Sequence, residues 1–112
     1  MKKLIAAALV FSLITFQYCS SSKKIQAPPK VSYATNVQPI LQSSCTPCHF
    51  PPGGNKKPLN TYSGAKDNID EIIARIQKNP GEKGFMPMKH PKLPDSTILV
   101  FVHWKNDGLL EQ

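Results

Sequence analysis

No stretch of this chain is apolar for long enough to cross a bilayer. The run from Leu4 to Phe16 is 13 uncharged, mostly apolar residues, whereas a spanning helix needs about 20. Acidic residues are scarce, 7 against 14 Lys and Arg, which gives a formal charge of +7. The lysines are nevertheless scattered. There is no long basic run and no nucleic-acid-binding motif, so nucleic acid is not an expected partner. Cysteines number only 3, with no second C-x-x-C pair to complete a zinc site. Internal repeats are absent, and 112 residues support one domain.

The start of the chain has an order of its own. Met1-Lys2-Lys3 is basic, the apolar run follows, and Cys19 comes after Phe16-Gln17-Tyr18. This pattern predicts a secretory signal peptide over residues 1–18, with a short uncleaved anchor as the alternative. Cys19 followed by Ser20-Ser21-Ser22-Lys23-Lys24 resembles the cleavage site of a bacterial lipoprotein. That resemblance implies a lipid on Cys19 and an exported protein held on the periplasmic side of a membrane. The other possibility is ordinary cleavage nearby, with Cys19 lost. Residues 19–30 then read as a polar tether, extended at Pro28-Pro29, and the domain is expected over 31–112. Without Lys2 and Lys3 the formal charge falls to +5.

Periodicity predicts an all-α domain of about three main helices separated by proline-rich loops. Over residues 32–45, Val37, Ile40 and Leu41 make one apolar stripe, with Ser32 or Thr35 as the cap. Pro39 lacks a donor and clashes one turn back, so the helix starts near it or kinks at it. Residues 50–60 carry prolines and glycines that allow little regular structure, and a short helical turn can start at Asn60 or Thr61. The clearest helix is 67–78: Asp67 as N-cap, an Ile69, Ile72, Ile73, Ile76 stripe, and Asn79-Pro80-Gly81 as the stop. A second loop covers 79–94. The last helix, 95–107, has Asp95 or Ser96 as cap and Gly108 just past its end. Trp104 is expected in the core, against the first helix near Ile40 and Leu41.

Chemistry enters at Cys45-Thr46-Pro47-Cys48-His49. C-x-x-C-H is the attachment signature of c-type haem. The two thiols add across the two vinyl groups along one edge of the porphyrin, and the adjacent histidine reaches the iron as proximal ligand. Covalent attachment prevents loss of haem outside the cell and staples a small fold. With Cys45 and Cys48 so used, Cys19 is the odd thiol, and lipidation would consume it. The rivals are a redox disulfide, which needs a βαβ surround that is missing, half a zinc site, and a plain disulfide. For the sixth position the loop Phe85-Met86-Pro87-Met88 offers two thioethers, followed by His90. A Met ligand favours reduced iron and raises the potential.

With these motifs the chain resembles the cytochrome c family in its small bacterial, one-haem form. Val37-Gln38-Pro39-Ile40-Leu41 ahead of the attachment motif, Gly84-Phe85-Met86-Pro87, and Leu93-Pro94-Asp95 through Trp104 to Gly108 carry the resemblance over most of 31–110. It implies a cytochrome c-like fold around one covalent haem c, with His49 proximal. It also implies Met86 as the distal ligand, since the family's ligand precedes the proline; Met88 is the alternative. Pro58-Leu59 resembles the family's stretch beneath the haem, which implies that the Pro58 carbonyl accepts from the His49 ring.

The function implied is single-electron transport rather than catalysis, alone or as a subunit of a larger oxidoreductase. Lys83, Lys89 and Lys92 flank the ligand loop, where they can guide docking to an acidic redox partner or simply form a solvated face. An open sixth site would instead allow small-ligand sensing or peroxide turnover, although no distal acid–base group is evident. A thiol protein without haem is the third possibility.

Overall fold

A computed structural model describes residues 28–112. The signal expected over 1–18, and Cys19 with most of its tether, lie outside the described residues. All helices and no strands are found among the described residues, apart from one isolated bridge between Ser32 and Leu110. None of these helices is long and apolar enough to cross a membrane.

The first helical segment starts where its cap predicts. Ser32 is extended, and its hydroxyl accepts the Thr35 N–H at 3.4 Å, while its own N–H donates to Asn36 Oδ1 at 2.9 Å. A π-helical turn, Tyr33–Val37, runs directly into α1, Gln38–Ser44. Pro39 sits in the first turn of α1, where its missing donor costs nothing. The change of register just before it is how the chain accommodates the proline without a break. Tyr33, Val37 and Leu41, each four residues on from the last, are all buried.

The middle of the chain corrects one expected boundary. Asp67 is not an N-cap; it is the last residue of α2, Tyr62–Asp67. Thr61 starts that helix by accepting the Gly64 N–H at 3.1 Å. The next helix, α3, spans Ile69–Ile76. Asn68 joins the two: its side chain donates to the Gly64 carbonyl at 2.7 Å, and its own carbonyl accepts the Ile72 N–H at 2.9 Å. A capping Asp67 would have solved the problem of loose donors at the helix start, but the preceding helix already occupies that residue. Ile69, Ile72 and Ile76 are buried as the stripe predicts, and Ile73 is partly buried. Gly81, at φ 94°, turns the chain beyond the helix.

The last helix, α4, spans Asp95–Asn106 and also lacks the expected side-chain cap. Pro94 stands before it, and the Pro94 carbonyl accepts from Thr97 at 2.9 Å and Ile98 at 3.1 Å. At the far end Gly108 takes φ 94°. Leu109 N–H bonds the Trp104 carbonyl at 2.9 Å, and Gly108 N–H bonds Lys105 at 3.2 Å. This pair of bonds is the Schellman ending that glycine makes possible.

The reversed chain then straps the domain start. The Leu110 carbonyl accepts the Tyr33 N–H and the Trp104 indole N–H, each at 2.8 Å. Tyr62 donates its hydroxyl to the Leu109 carbonyl at 2.8 Å, and Asp107 takes the Val31 N–H at 2.8 Å. Beneath the strap, the Trp104 ring lies 5.9 Å from that of Tyr33 and 6.3 Å from that of Tyr62. The aromatic partners of Trp104 are thus Tyr33, in the π-helical turn ahead of Ile40, and Tyr62 of α2. The fully buried Leu41 belongs to the same core.

Candidate functional site

The attachment motif leaves the end of α1 as a series of tight turns. Cys45 N–H still bonds the Leu41 carbonyl at 2.9 Å, and Thr46 Oγ1 donates to the Gln42 carbonyl at 2.9 Å. His49 N–H returns to the Cys45 carbonyl at 3.0 Å. The following loop folds back over the motif, with Lys56 N–H on the Cys48 carbonyl at 3.2 Å and Leu59 N–H on the His49 carbonyl at 2.9 Å. Gly54 permits this approach: a Cβ there would lie 2.1 Å from the Cys48 oxygen, inside any tolerable contact.

Orientation of His49 comes from the same loop. Its Nδ1 lies 2.8 Å from the Lys57 carbonyl oxygen. A carbonyl only accepts, so Nδ1 is the donor there, and Nε2 is the nitrogen left for another partner. The carbonyl partner is therefore Lys57, one residue before the expected Pro58. The Pro58 carbonyl faces away toward α2, 2.7 Å from where a Cβ of Gly64 would stand. The bond from the Leu59 N–H to the His49 carbonyl holds this part of the loop against the motif, with the Lys57 carbonyl on the ring.

Cys45, Cys48 and His49 line a cavity of about 440 Å³, within the usual range for small-molecule sites. Leu59, Ile72, Ile76, Leu93 and Phe101 make it apolar, and Met86, Pro87, Met88 and His90 border it from the second loop. The two methionines differ. Met86 is half-buried and packs against the core, with its N–H on the Arg75 carbonyl at 3.2 Å; the Met88 side chain is 74% exposed. Of the flanking lysines only Lys89 lines the cavity, and Lys92 instead bonds Asn79 at 2.9 Å. His103 lies exposed on α4, away from the cavity lining. Pro58 is exposed and outside the lining, whereas Leu59 is buried within it.

The thiols are free and half-buried. Burial pushes the Cys45 thiol up to about 11, and its place at the C-terminal end of α1 disfavours a thiolate as well. A nucleophilic or disulfide-exchanging cysteine needs the reverse. Among the described residues no three His, Cys, Asp or Glu side chains gather closely enough to hold a bare metal ion.

A charged network at the cavity edge went unnoticed in the sequence. Glu71 receives Lys57 Nζ at 2.7 Å on Oε2, and Arg75 Nε and Nη2 at 2.9 and 2.6 Å on Oε1. The hydrogen bond from Lys57, then that from Arg75, hold the Glu71 carboxyl down at about 2. The four-residue spacing of Glu71 and Arg75 is a legible ion-pair signal; Lys57, 14 residues away, is not. No family model, no curated protein and no solved structure matches this chain.

Proposed function

We propose that this protein is a small exported electron carrier with a cytochrome c-like fold and one covalent haem c. Cys45 and Cys48 would carry the thioethers, His49 would be the proximal ligand and Met86 the distal one. The observation that carries this function is the His49 ring at the edge of an apolar cavity, with Nδ1 engaged by Lys57 and Nε2 left free to bind iron. Fit to a haem is supported by the two thiols on the same wall and by the thioether of Met86 on the second loop. Bound there, the group would supply a one-electron couple.

The chain's own residues have three tasks in this scheme. Lys57 holds the imidazole proton at Nδ1, which fixes the ring in direction. Ile72, Ile76 and Phe101 exclude water from the buried part of the cavity, and a dry, apolar surround favours the less charged state of a redox centre. Met86, packed against the core, would supply the sixth ligand and so deny that position to an external one. Anchoring through Cys19 and a membrane-tethered, periplasmic location belong to the same proposal, as does an acidic redox partner.

The deciding experiment is a visible spectrum of reduced and oxidised protein, made in a host with haem-attachment machinery and followed by denaturing extraction. Sharp low-spin bands that stay with the polypeptide are expected. A colourless product, or haem that extracts freely, would overturn the proposal. Met86→Ala is expected to open the sixth position to carbon monoxide, whereas Met88→Ala leaves it closed.

A further inference from the structure

The two loops that offer His49 and Met86 are far apart in sequence, yet one short relay joins them. It starts at the Lys57 carbonyl on the His49 ring, 2.8 Å away. The Lys57 side chain reaches Glu71 at 2.7 Å, and Glu71 holds the Arg75 guanidinium through two bonds. Arg75 then meets the second loop twice. Its carbonyl accepts the Met86 N–H at 3.2 Å, and Nη1 lies 3.4 Å from the Gly84 carbonyl oxygen. Gly84 has φ 86°, and a Cβ there would stand 3.2 Å from Arg75 Nη1, so the guanidinium fits beneath the turn that leads Met86 back to the cavity.

We propose that Glu71 and Arg75 are positioning residues: together they clasp the Met86 loop over the cavity and couple it to the loop that orients His49. The proposal rests on the haem function for its consequence, though not for its geometry. Neither side chain is offered as an iron ligand. Glu71 stands between a cation from each side, so removing it releases both at once. Without the clasp the Met86 loop opens more often, and the sixth position becomes accessible while the aromatic core stays intact.

The test uses the haem-loaded protein with Glu71→Ala, Arg75→Ala and the double variant. Two rates are read: hydrogen exchange at the Met86 amide, and carbon monoxide binding by the reduced form. Each single change is expected to raise both rates by roughly fivefold, the scale of a half-exposed ion-pair network. The Trp104 amide, in the strapped core, is expected to exchange as before. Because the residues act as one unit, the double variant is expected to match the singles rather than multiply them. Unchanged Met86 exchange overturns the clasp, as does an equal rise at Trp104 or multiplication of the two single effects. A wild-type protein without covalent haem would remove the functional consequence, while Met86 exchange would still decide the clasp.

Discussion

The two ends of the molecule solve the problem of a small core in opposite ways. At one end the strap closes the structure on itself. Tyr33, Tyr62 and Trp104 fill the space, and no buried polar side-chain atom among the described residues lacks a partner; Trp104 is fully buried with its indole N–H bonded to Leu110. At the other end Ile72, Ile76 and Phe101 face an open cavity of about 440 Å³. The polypeptide alone completes the first region, and the second has apolar walls with none of the described residues between them. A domain of this length has little core to spare, so the open end is where a bound group adds most to stability.

The sharpest way to break the strapped end is Trp104→Ala. The substitution removes a fully buried ring and leaves the Leu110 carbonyl with one donor fewer. A loss of about 3–5 kcal/mol is expected from denaturant unfolding, which is a large share of the stability of any small domain. A loss below about 1 kcal/mol would show that the aromatic cluster is not the stable half of the molecule.

The comparison sharpens with a matched pair of isoleucines. Ile98 and Ile72 are buried to a similar degree, at 6% and 7% exposure, but only Ile72 lines the cavity. In protein lacking a bound group, Ile98→Ala is expected to cost about 2–4 kcal/mol and Ile72→Ala about half as much. The reason is that truncation beside an existing void forfeits fewer contacts. In haem-loaded protein the two costs should converge, as the void is then filled. Equal costs in both forms would mean that the cavity closes up when empty.

A backbone change tests the loop that bears the histidine. Gly54→Ala would drive a Cβ into the Cys48 carbonyl, 2.1 Å away, and no side-chain movement can relieve it. The loop must then lift, and with it the Lys57 carbonyl that orients His49. A stability loss of about 1–3 kcal/mol is expected, together with a lower yield of covalently loaded protein in the haem-attachment host. Unimpaired loading would show that His49 does not depend on this loop for its direction.

Local signals in the sequence were enough for the helices but not for what joins them. The Ser32 cap, the isoleucine stripe and Gly108 each carry their structural consequence within one or two turns of chain. Asp67 shows the limit. It is a good cap by residue type, but α2 runs on through Asp67 and absorbs it. Pro94 supplanted Asp95 in the same way, by putting a carbonyl where the helix needed an acceptor. At the site, Cys45, Cys48 and His49 are legible because their spacing is the chemistry. The choice of Lys57 over Pro58 depends on which of two successive loop carbonyls faces the ring, and a shift of one residue reverses it. Glu71 was unreadable as a site residue for a related reason: helical spacing pairs it with Arg75, while its second partner, Lys57, comes from a loop with no periodicity at all.

The smallest expected effect belongs to Glu71, and its direction is fixed by linkage. Its carboxyl titrates at about 2 in the folded protein against an ordinary value of 4.5. The lowered value means that the ionised form is favoured by folding. That contribution is complete above about pH 4.5, declines as the pH falls, and is gone below about pH 2. The Glu71 side chain remains 42% exposed, so solvent screens much of the attraction and added salt weakens it further. Glu71→Gln abolishes the titration while keeping an acceptor for Lys57 and Arg75. Between pH 4.5 and 2 the variant is therefore expected to lose less stability than the parent, with the difference shrinking in high salt. Parallel stability curves for the two proteins across that window would place the cations too far from Glu71 to hold its charge, and the link between the histidine loop and the methionine loop would fall with them.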